Sequence, residues 1–181
     1  SILRFMDYEL SLDVSRPLDL LKICPAYKQT PIVEIAALNN FRLLVKDETN
    51  RMGLGSFKAL GGIYAVAKFL LEQWQKEQGF ELPAHRLIDP EIKSWSSKFT
   101  FVCASAGNHG MAVAKGAELF NAGCRVHIAR PVPTSFAQRL TALGAVVIRS
   151  GETYEQSMLA AMNENSEGRV LLADSSWPGY Y

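Results

Sequence analysis

The second half of the chain alternates short apolar runs with stretches in which apolar residues recur every three or four positions. Short apolar runs bounded by polar turns are typical of buried strands, and the wider spacing is typical of amphipathic helices. Strands are therefore predicted at residues 99–104, 124–129, 145–148 and 170–173, with helices between them at 111–120, 135–143 and 153–163. Strict alternation favours crossover connections, so we expect a three-layer α/β fold built on a doubly wound parallel sheet.

The first half of the chain is less regular. Residues 1–31 place turn formers between short apolar pieces, and we expect an irregular segment there. Residues 32–38 predict a strand followed by a helical turn, and residues 41–46 predict a second strand. Apolar residues at helical spacing predict an amphipathic helix over residues 56–78 that ends at Gly79. Residues 80–98 contain prolines and several serines, which predicts a surface connection with at most a short helix.

Composition and charge exclude several function classes. The 181 residues suit one domain or slightly more, and 48% hydrophobic with 20% charged residues is ordinary for a soluble globular protein. The 19 basic and 18 acidic residues give a net charge of +1 without a basic stripe, so we expect no nucleic acid partner. No apolar run approaches the roughly 20 residues that cross a bilayer, so we expect no membrane partner.

The start of the chain and the cysteines favour a cytoplasmic protein. Arg4, Asp7 and Glu9 stand where a signal peptide would be apolar. The cysteines are odd in number, widely separated and set in apolar contexts, so we expect reduced core residues without disulfides. Neither the cysteines nor the histidines have metal-ligand spacing, so we expect no metal site.

Lys58 is the first candidate for chemistry. It lies in a glycine-containing stretch between an apolar strand and a helix, which places it at the mouth of a fold. A lysine in a partly apolar setting can form a Schiff base with an aldehyde, and pyridoxal phosphate is the aldehyde cofactor most often held this way. The plainer interpretation is an exposed lysine on a first helical turn. Gly61 and Gly62 follow early in the helix, where glycine is unfavourable, so a backbone or ligand is expected close by.

Residues 105–110 are the second candidate. This polar turn lies between a predicted strand and a predicted helix, so free backbone amides and the side chains of Asn108 and His109 are expected to meet an anion there. Small residues also occur in such turns for geometric reasons alone. Because ligands of open α/β sheets bind beyond the carboxyl ends of the strands, the turn and Lys58 are expected to face one cleft.

The order of these motifs resembles that of the fold type II pyridoxal phosphate enzymes, the group of threonine dehydratase and the tryptophan synthase β subunit. The residues that support the resemblance are Thr30, Pro31, Lys46, Asp47, Glu48, Ser56, Phe57, Lys58, Gly61, Gly62 and residues 105–109. Within this group the chain is most similar to the diaminopropionate ammonia-lyases. The positions that support this narrower likeness include Arg51, Gly53, Leu54, Leu60, Tyr64, Ala65, Asp174, Trp177, Gly179 and Tyr180.

The resemblance implies a role for each site residue. Lys58 would form the Schiff base with the cofactor pyridoxal 5'-phosphate and then transfer the substrate proton. Phe57 would pack beside the cofactor, and Asn108 would bind the ring hydroxyl. The loop that holds the carboxylate of a small amino-acid substrate would consist of Ser105, Ala106, Gly107, Asn108 and His109.

The resemblance also implies a reaction, an assembly and a domain plan. The reaction is α,β-elimination of an amino acid such as 2,3-diaminopropionate to a 2-keto acid and ammonia, in a homodimer. Residues 1–59 would belong to a large cofactor domain, residues 60–165 would form a small α/β domain, and residues 166–181 would return to the large domain. The glycine-rich phosphate loop and the partner of the pyridine nitrogen lie beyond Tyr181 in this family, so we expect the chain to be the amino-terminal part of an enzyme.

Two departures from the family pattern, Ala106 and the absence of the phosphate loop from this chain, leave alternatives open. Ala106 stands where diaminopropionate lyases have an aspartate, as it does in threonine dehydratases, so a threonine or serine dehydratase is an alternative. A cysteine synthase-like β-replacement would use the same cofactor. A homologue that binds a small amino acid or a partner without catalysis is the non-enzymatic alternative.

Overall fold

The computed structural model describes residues 14–35, 41–164 and 167–174. Within these ranges the chain forms six α-helices and six strands. In chain order they are α1 (Ser15–Lys22), β1 (Ile32–Ile35), β2 (Leu43–Lys46), α2 (Lys58–Gln78), α3 (Pro90–Ser96), β3 (Thr100–Ala104), α4 (Asn108–Phe120), β4 (Gly123–Ile128), α5 (Thr134–Ala142), β5 (Val146–Arg149), α6 (Tyr154–Asn163) and β6 (Arg169–Leu171). Short 3₁₀ turns at Arg51–Gly53 and Ala84–Ile88 precede α2 and α3.

Four of the strands form a parallel sheet in the order β5-β4-β3-β6. The chain moves from β3 outward to β4 and β5 and then returns to the other side of β3 as β6. Phe101 and Cys103 of β3 face the core that includes α2 and α4, whereas Val102 and Ala104 pack in the opposite core with Ala161 of α6. Helices therefore cover both faces of the sheet, and the expected three-layer, doubly wound α/β fold is confirmed.

Helices α2 and α4 pack closely through glycines. A Cβ placed on Gly62 would lie 2.4 Å from the Cβ of Ala112, and one placed on Gly116 would lie 3.2 Å from the Cα of Ile63. Residue numbers rise in the same direction along both helices at these contacts, so the helices run parallel and their N-termini lie at one end. The expected close approach is confirmed at Gly62, but a Cβ on Gly61 would meet nothing within 4 Å.

Strands β1 and β2 form a separate antiparallel sheet that is largely exposed. Its register pairs Val33 with Val45 and Glu34 with Leu44. The helical turn expected after residue 35 falls outside the described residues, as do Trp177, Gly179 and Tyr180. Across the described part of the chain, no helix combines the length and apolar character needed to cross a bilayer.

One sequence-based expectation was wrong and another was incomplete, and a proline is involved in both. Residues 15–22 form α1, with Leu20 and Leu21 buried, although this region was expected to be irregular. Residues 80–98 contain a 3₁₀ turn and the seven-residue α3, in keeping with the short helix allowed there, and they also bury Leu87 and Ile92 in the core. Pro17 and Pro90 both lie in the first turn of a helix, where the missing N–H is not needed, so neither proline interrupts a helix.

Candidate active site

The carboxyl ends of β3 and β6 meet where the direction of winding reverses. β3 leads into residues 105–107 and α4, and β6 leads into Leu172, whose N–H donates to the carbonyl of Val102 at 2.8 Å. In open α/β sheets the crevice at such a switch point is the usual ligand site. The polar turn after β3 therefore borders the position where this fold class binds ligands.

The turn is tightly packed at Gly110 and open at Gly107. A Cβ on Gly110 would lie 2.0 Å from the carbonyl oxygen of Ser105, so only glycine fits there. The hydroxyl of Ser105 accepts a long hydrogen bond, 3.4 Å, from the N–H of Gly107. In front of Gly107, the N-cap of α4, the nearest atom to an added Cβ is the Ser105 Oγ at 4.0 Å. The first N–H groups of α4 have no partner within the helix, and this open space suits a carboxylate or phosphate.

The side chains of the turn divide into available and occupied groups. Asn108 is exposed and opens α4. The Nε2 of His109 is 2.9 Å from the carbonyl oxygen of Leu172, so the ring joins the turn to the end of β6. Because a carbonyl can only accept, Nε2 carries the proton in this contact. Ala106 is partly buried against the core, so its backbone is what it offers to a ligand.

Lys58 and Asn108 lie at the same end of the α2–α4 pair. Lys58 is one helical turn before Gly62, and Asn108 is one turn before Ala112, which is the residue that Gly62 contacts. Residues four apart lie on the same face of a helix, so both side chains lie on the facing sides of the two helices, one turn before their contact. The structure thus brings the two candidate stretches together, although they are distant in sequence.

The groups around Lys58 fit a pyridoxal cofactor. Lys58 itself is exposed, and its backbone N–H donates to the Oγ of the buried Ser56 at 3.2 Å, which fixes the start of α2. Phe57 is 67% exposed, so its ring is available to pack against a bound group. Each of these groups suits one part of such a cofactor. The Lys58 amine suits the aldehyde and the uncovered Phe57 ring suits the flat ring. The Asn108 amide suits the ring hydroxyl, and the free N–H groups of the helix suit an anionic substituent.

The loop before Lys58 is tightly wound. Met52, Gly53 and Gly55 have left-handed φ values of 51°, 72° and 70°. Met52 adopts this conformation while 2% exposed, so packing holds a strained residue in place. The backbone carbonyl of Arg51 accepts hydrogen bonds from the N–H groups of Leu54 and Gly55 at 2.9 and 3.3 Å. The position of Lys58 therefore depends on a rigid loop.

Asp174 is a further polar group near this edge of the sheet, and the sequence identified it only as a landmark of the family. It follows β6, and its Oδ1 accepts a hydrogen bond from the hydroxyl of Tyr154 at 2.8 Å. Burial and the neighbouring Asp174 raise the pKa of Tyr154 to about 12, so Tyr154 remains a donor at neutral pH. The contact between Tyr154 and Asp174 could not be predicted from the sequence, because the two residues lie on different elements.

Metal-ligating side chains are not clustered in the described ranges: no group of three or more His, Cys, Asp or Glu residues is arranged to hold an ion. Cys24, Cys103 and Cys124 are buried and free, as expected for reduced core residues. Burial raises the pKa of the Cys124 thiol to about 12, which keeps it protonated.

Comparison with known proteins identifies the family. The model of the family described as pyridoxal-phosphate dependent enzyme matches residues 23–180. The diaminopropionate ammonia-lyase of Salmonella typhimurium is 35% identical over 164 residues, which are 88% of this chain and 40% of that protein. The chain thus spans about two fifths of the length of this relative and of the diaminopropionate ammonia-lyase of Escherichia coli.

Solved structures agree with this assignment. The apo form of Escherichia coli diaminopropionate ammonia lyase has a TM-score of 0.78 and 27% identity, covering 92% of this chain and 46% of that one. The same enzyme in complex with an aminoacrylate-PLP azomethine reaction intermediate gives a TM-score of 0.77 and 27% identity, covering 92% and 42%. The family match over most of the chain confirms the resemblance seen in the sequence, and the chain belongs to the pyridoxal-phosphate dependent enzymes.

Proposed function

We propose that this chain supplies the lysine-bearing part of a pyridoxal phosphate-dependent ammonia-lyase. The reaction is elimination of the amino group from the β carbon of a small amino acid such as 2,3-diaminopropionate, which releases one ammonia, and water then hydrolyses the resulting enamine to a 2-keto acid and a second ammonia. One observation supports this most directly: the contact of Gly62 with Ala112 packs α2 parallel to α4, so Lys58 and Asn108 each lie one turn before that contact, at the end of the helix pair next to the switch point of the sheet. The relatives named diaminopropionate ammonia-lyase supply the substrate class.

When bound, the cofactor supplies an electron sink for the substrate carbon that loses its proton. The Lys58 amine would hold the cofactor through its aldehyde and, when free, would accept the substrate α proton. Phe57 would pack against the ring and reduce its contact with water. Asn108 would donate its amide N–H to the ring hydroxyl. The N–H groups of residues 105–109 hold the substrate carboxylate and so orient the Cα–H bond toward Lys58.

Asp174 is proposed as a second group that holds a proton. It is an exposed carboxylate at the end of β6, beside the turn, and Tyr154 fixes one of its oxygens. Its other oxygen is free of that bond and can exchange a proton with a leaving amine. Ala106 has no side chain that can exchange a proton. Among the described residues directly after β3 and β6, Asp174 is the one that carries a carboxylate.

Trapping of the lysine tests the proposal. The full-length protein is incubated with pyridoxal phosphate, reduced with borohydride and mapped by mass spectrometry. We expect a pyridoxyl group on Lys58, and we expect Lys58→Ala to abolish both the label and the elimination activity. Lys68→Ala is the matched control, since Lys68 lies on the same helix in an exposed ion pair with Glu72. Equal labelling of the Lys58→Ala variant, or labelling confined to other lysines, would refute the proposal.

A dehydratase is the second candidate, and Ala106 is the observation that favours it. The elimination rates of the full-length protein with 2,3-diaminopropionate, serine and threonine separate the two. A preference for a hydroxyl leaving group would assign the chain to a dehydratase, and a preference for diaminopropionate would assign it to the lyases.

The assembly and domain plan are also proposals. We propose that the complete protein is a cytoplasmic homodimer in which residues 60–165 form the small domain. The separate β1–β2 sheet supports a division near residue 59, and the three buried, free cysteines suit a reducing compartment.

A further inference from the structure

Arg51 lies at the centre of a buried polar cluster next to the loop that leads to Lys58. We define the Arg51 cluster as Thr30, which lies just before β1, together with Glu48 and Arg51, which both lie in the loop after β2. The Arg51 side chain is 7% exposed and that of Glu48 is 18% exposed. Removing a charged pair from water costs free energy, so a pair this deeply buried is stable only if its polar atoms are fully hydrogen-bonded.

Each polar group in the cluster has a partner. The Arg51 Nε and Nη2 donate to the two carboxylate oxygens of Glu48 at 2.5 and 2.7 Å. Nη2 also donates to the Thr30 Oγ1 at 2.6 Å, and Nη1 donates to the Lys28 carbonyl at 2.9 Å. The Thr30 hydroxyl in turn donates to Glu48 at 2.6 Å. The guanidinium therefore ties the segment at Lys28 and Thr30 to the loop that carries Glu48 and Arg51.

Electrostatics keep the cluster charged across the ordinary pH range. Hydrogen bonds from Arg51 and then from Thr30 lower the pKa of Glu48 to about 2, and Glu48 raises the pKa of Arg51. The pair is therefore a permanent clamp and not a titrating switch. The planar guanidinium of Arg51 can donate to both oxygens of a carboxylate at once, whereas a lysine ammonium acts as a single point charge.

The clamp acts on the backbone that precedes Lys58. The Arg51 N–H donates to the Glu48 carbonyl at 3.0 Å, and the Arg51 carbonyl receives Leu54 and Gly55. Between Arg51 and Lys58 the chain passes through the left-handed residues Gly53 and Gly55. Left-handed glycines do not hold a loop by themselves, because glycine has the largest conformational freedom of all residues. The side-chain clamp therefore adds to the hold that buried Met52 and the backbone hydrogen bonds of Leu54 and Gly55 exert on this segment.

We propose that Arg51, held by Glu48 and Thr30, is a positioning residue that sets the location of the Lys58 amine relative to the cofactor aldehyde. This rests on the proposed role of Lys58. A displacement of about 1 Å at a reacting group can cost on the order of a hundredfold in rate, so a clamp seven positions away along the chain affects chemistry without touching the substrate.

The test compares Arg51→Lys with Arg42→Lys in the full-length protein. Arg42 forms a similar two-point pair with Glu34 of β1, at 3.0 and 2.9 Å, but it lies just before β2 and its side chain is 75% exposed. The first measurement is the rate at which pyridoxal phosphate and borohydride label Lys58, divided by the rate for Lys68 in the same molecule. The second is kcat and KM measured separately, at a temperature where circular dichroism shows every variant folded.

We expect Arg51→Lys to lower the labelling ratio at least about tenfold and kcat by about a hundredfold, with KM changed much less, while Arg42→Lys changes neither. Glu48→Gln keeps the shape of the partner and loses its charge, so we expect an intermediate effect; it replaces Arg51→Lys if that variant does not fold. A folded Arg51→Lys or Glu48→Gln protein with the wild-type labelling ratio and kcat would overturn the inference. If wild-type protein does not label Lys58 at all, the proposed function fails first, and the two failures are thereby distinguished.

Discussion

Two neighbouring glycines in α2 have opposite environments. Gly62 lies against the backbone of α4, where an added Cβ would fall 3.0 Å from the carbonyl carbon of Ala112 and 3.1 Å from the N of Val113. Gly61 is exposed, has no left-handed φ and faces open space within the described residues. Helix packing explains why residue 62 is glycine. Gly61 has the same low helix propensity, but it makes no close contact within the described residues.

Substitutions at Gly61 and Gly62 are predicted to change the free energy of unfolding, measured in urea, in opposite directions. We expect Gly61→Ala to raise the free energy of unfolding by about 1 kcal/mol, because alanine is the better helix former. We expect Gly62→Ala to lower it by about 1 to 3 kcal/mol, because the new methyl group pushes apart two backbones that cannot easily move. The two variants are controls for each other. A loss of stability in Gly61→Ala would mean that a group outside the described residues covers this position.

At the scale of elements, α6 is tied to the sheet by a buried histidine. The Nδ1 of His127 is 2.9 Å from the Ser150 Oγ, and its Nε2 is 3.1 Å from a carboxylate oxygen of Glu164, without good hydrogen-bond geometry. Glu164 caps the end of α6 and accepts two hydrogen bonds from Arg125 of β4, at 2.7 and 3.0 Å. Burial lowers the pKa of His127 below its ordinary value of 6.5, and the nearby Glu164 only partly opposes this.

This histidine predicts a pH dependence of stability. The unfolded chain binds a proton near pH 6.5 and the folded protein only at lower pH, so His127 contributes stability above pH 6.5 that is lost as the pH falls through its folded-state pKa. We expect the free energy of unfolding, measured in urea between pH 8 and pH 5, to fall below pH 6.5 in the wild type.

The dependence is assigned by substitution. His127→Gln is expected to flatten this part of the profile, whereas His85→Gln, at an exposed position in a 3₁₀ turn, should leave it unchanged. An identical slope in wild type and His127→Gln would contradict the assignment.

At the scale of the whole molecule, the β1–β2 sheet exposes an apolar face. Pairing of the strands places Val33, Ile35, Leu43 and Val45 on one face, and Val33, Ile35 and Leu43 are 43%, 47% and 53% exposed. The other face alternates apolar with charged residues. A two-stranded sheet of this kind is marginal alone and is stable when another layer covers it.

We therefore predict that residues 1–181, expressed alone, self-associate. Light scattering should show species larger than a monomer, and Ile35→Lys should reduce them by placing a charge on the apolar face. Ile32→Lys, the same change in the same strand but on the other face, should have a smaller effect. A monodisperse wild-type monomer would contradict the prediction.

The sequence alone determined the elements and the local chemistry. Four strands and the helices between them followed from spacing, because periodicity reports which side of an element is buried, and a parallel sheet followed from their alternation. Lys58 was found because it lies between a strand and a helix in a family motif. Errors arose where one residue type has two uses: Pro17 and Pro90 begin helices, and Asn108 opens α4 although its polar side chain was assigned to a turn.

Only the tertiary structure decided which residues meet. The parallel packing of α2 on α4 brings the N-terminal ends of both helices, with Lys58 and Asn108, to the same end of the molecule, and the return of β6 places the Leu172 carbonyl 2.9 Å from the Nε2 of His109 after β3. The Arg51 cluster joins Thr30 to Glu48 through a side-chain fork that no spacing rule encodes. The physical reason is that periodicity depends on neighbours along the chain, whereas these contacts depend on packing directions and on buried charges that must find partners wherever the fold brings them.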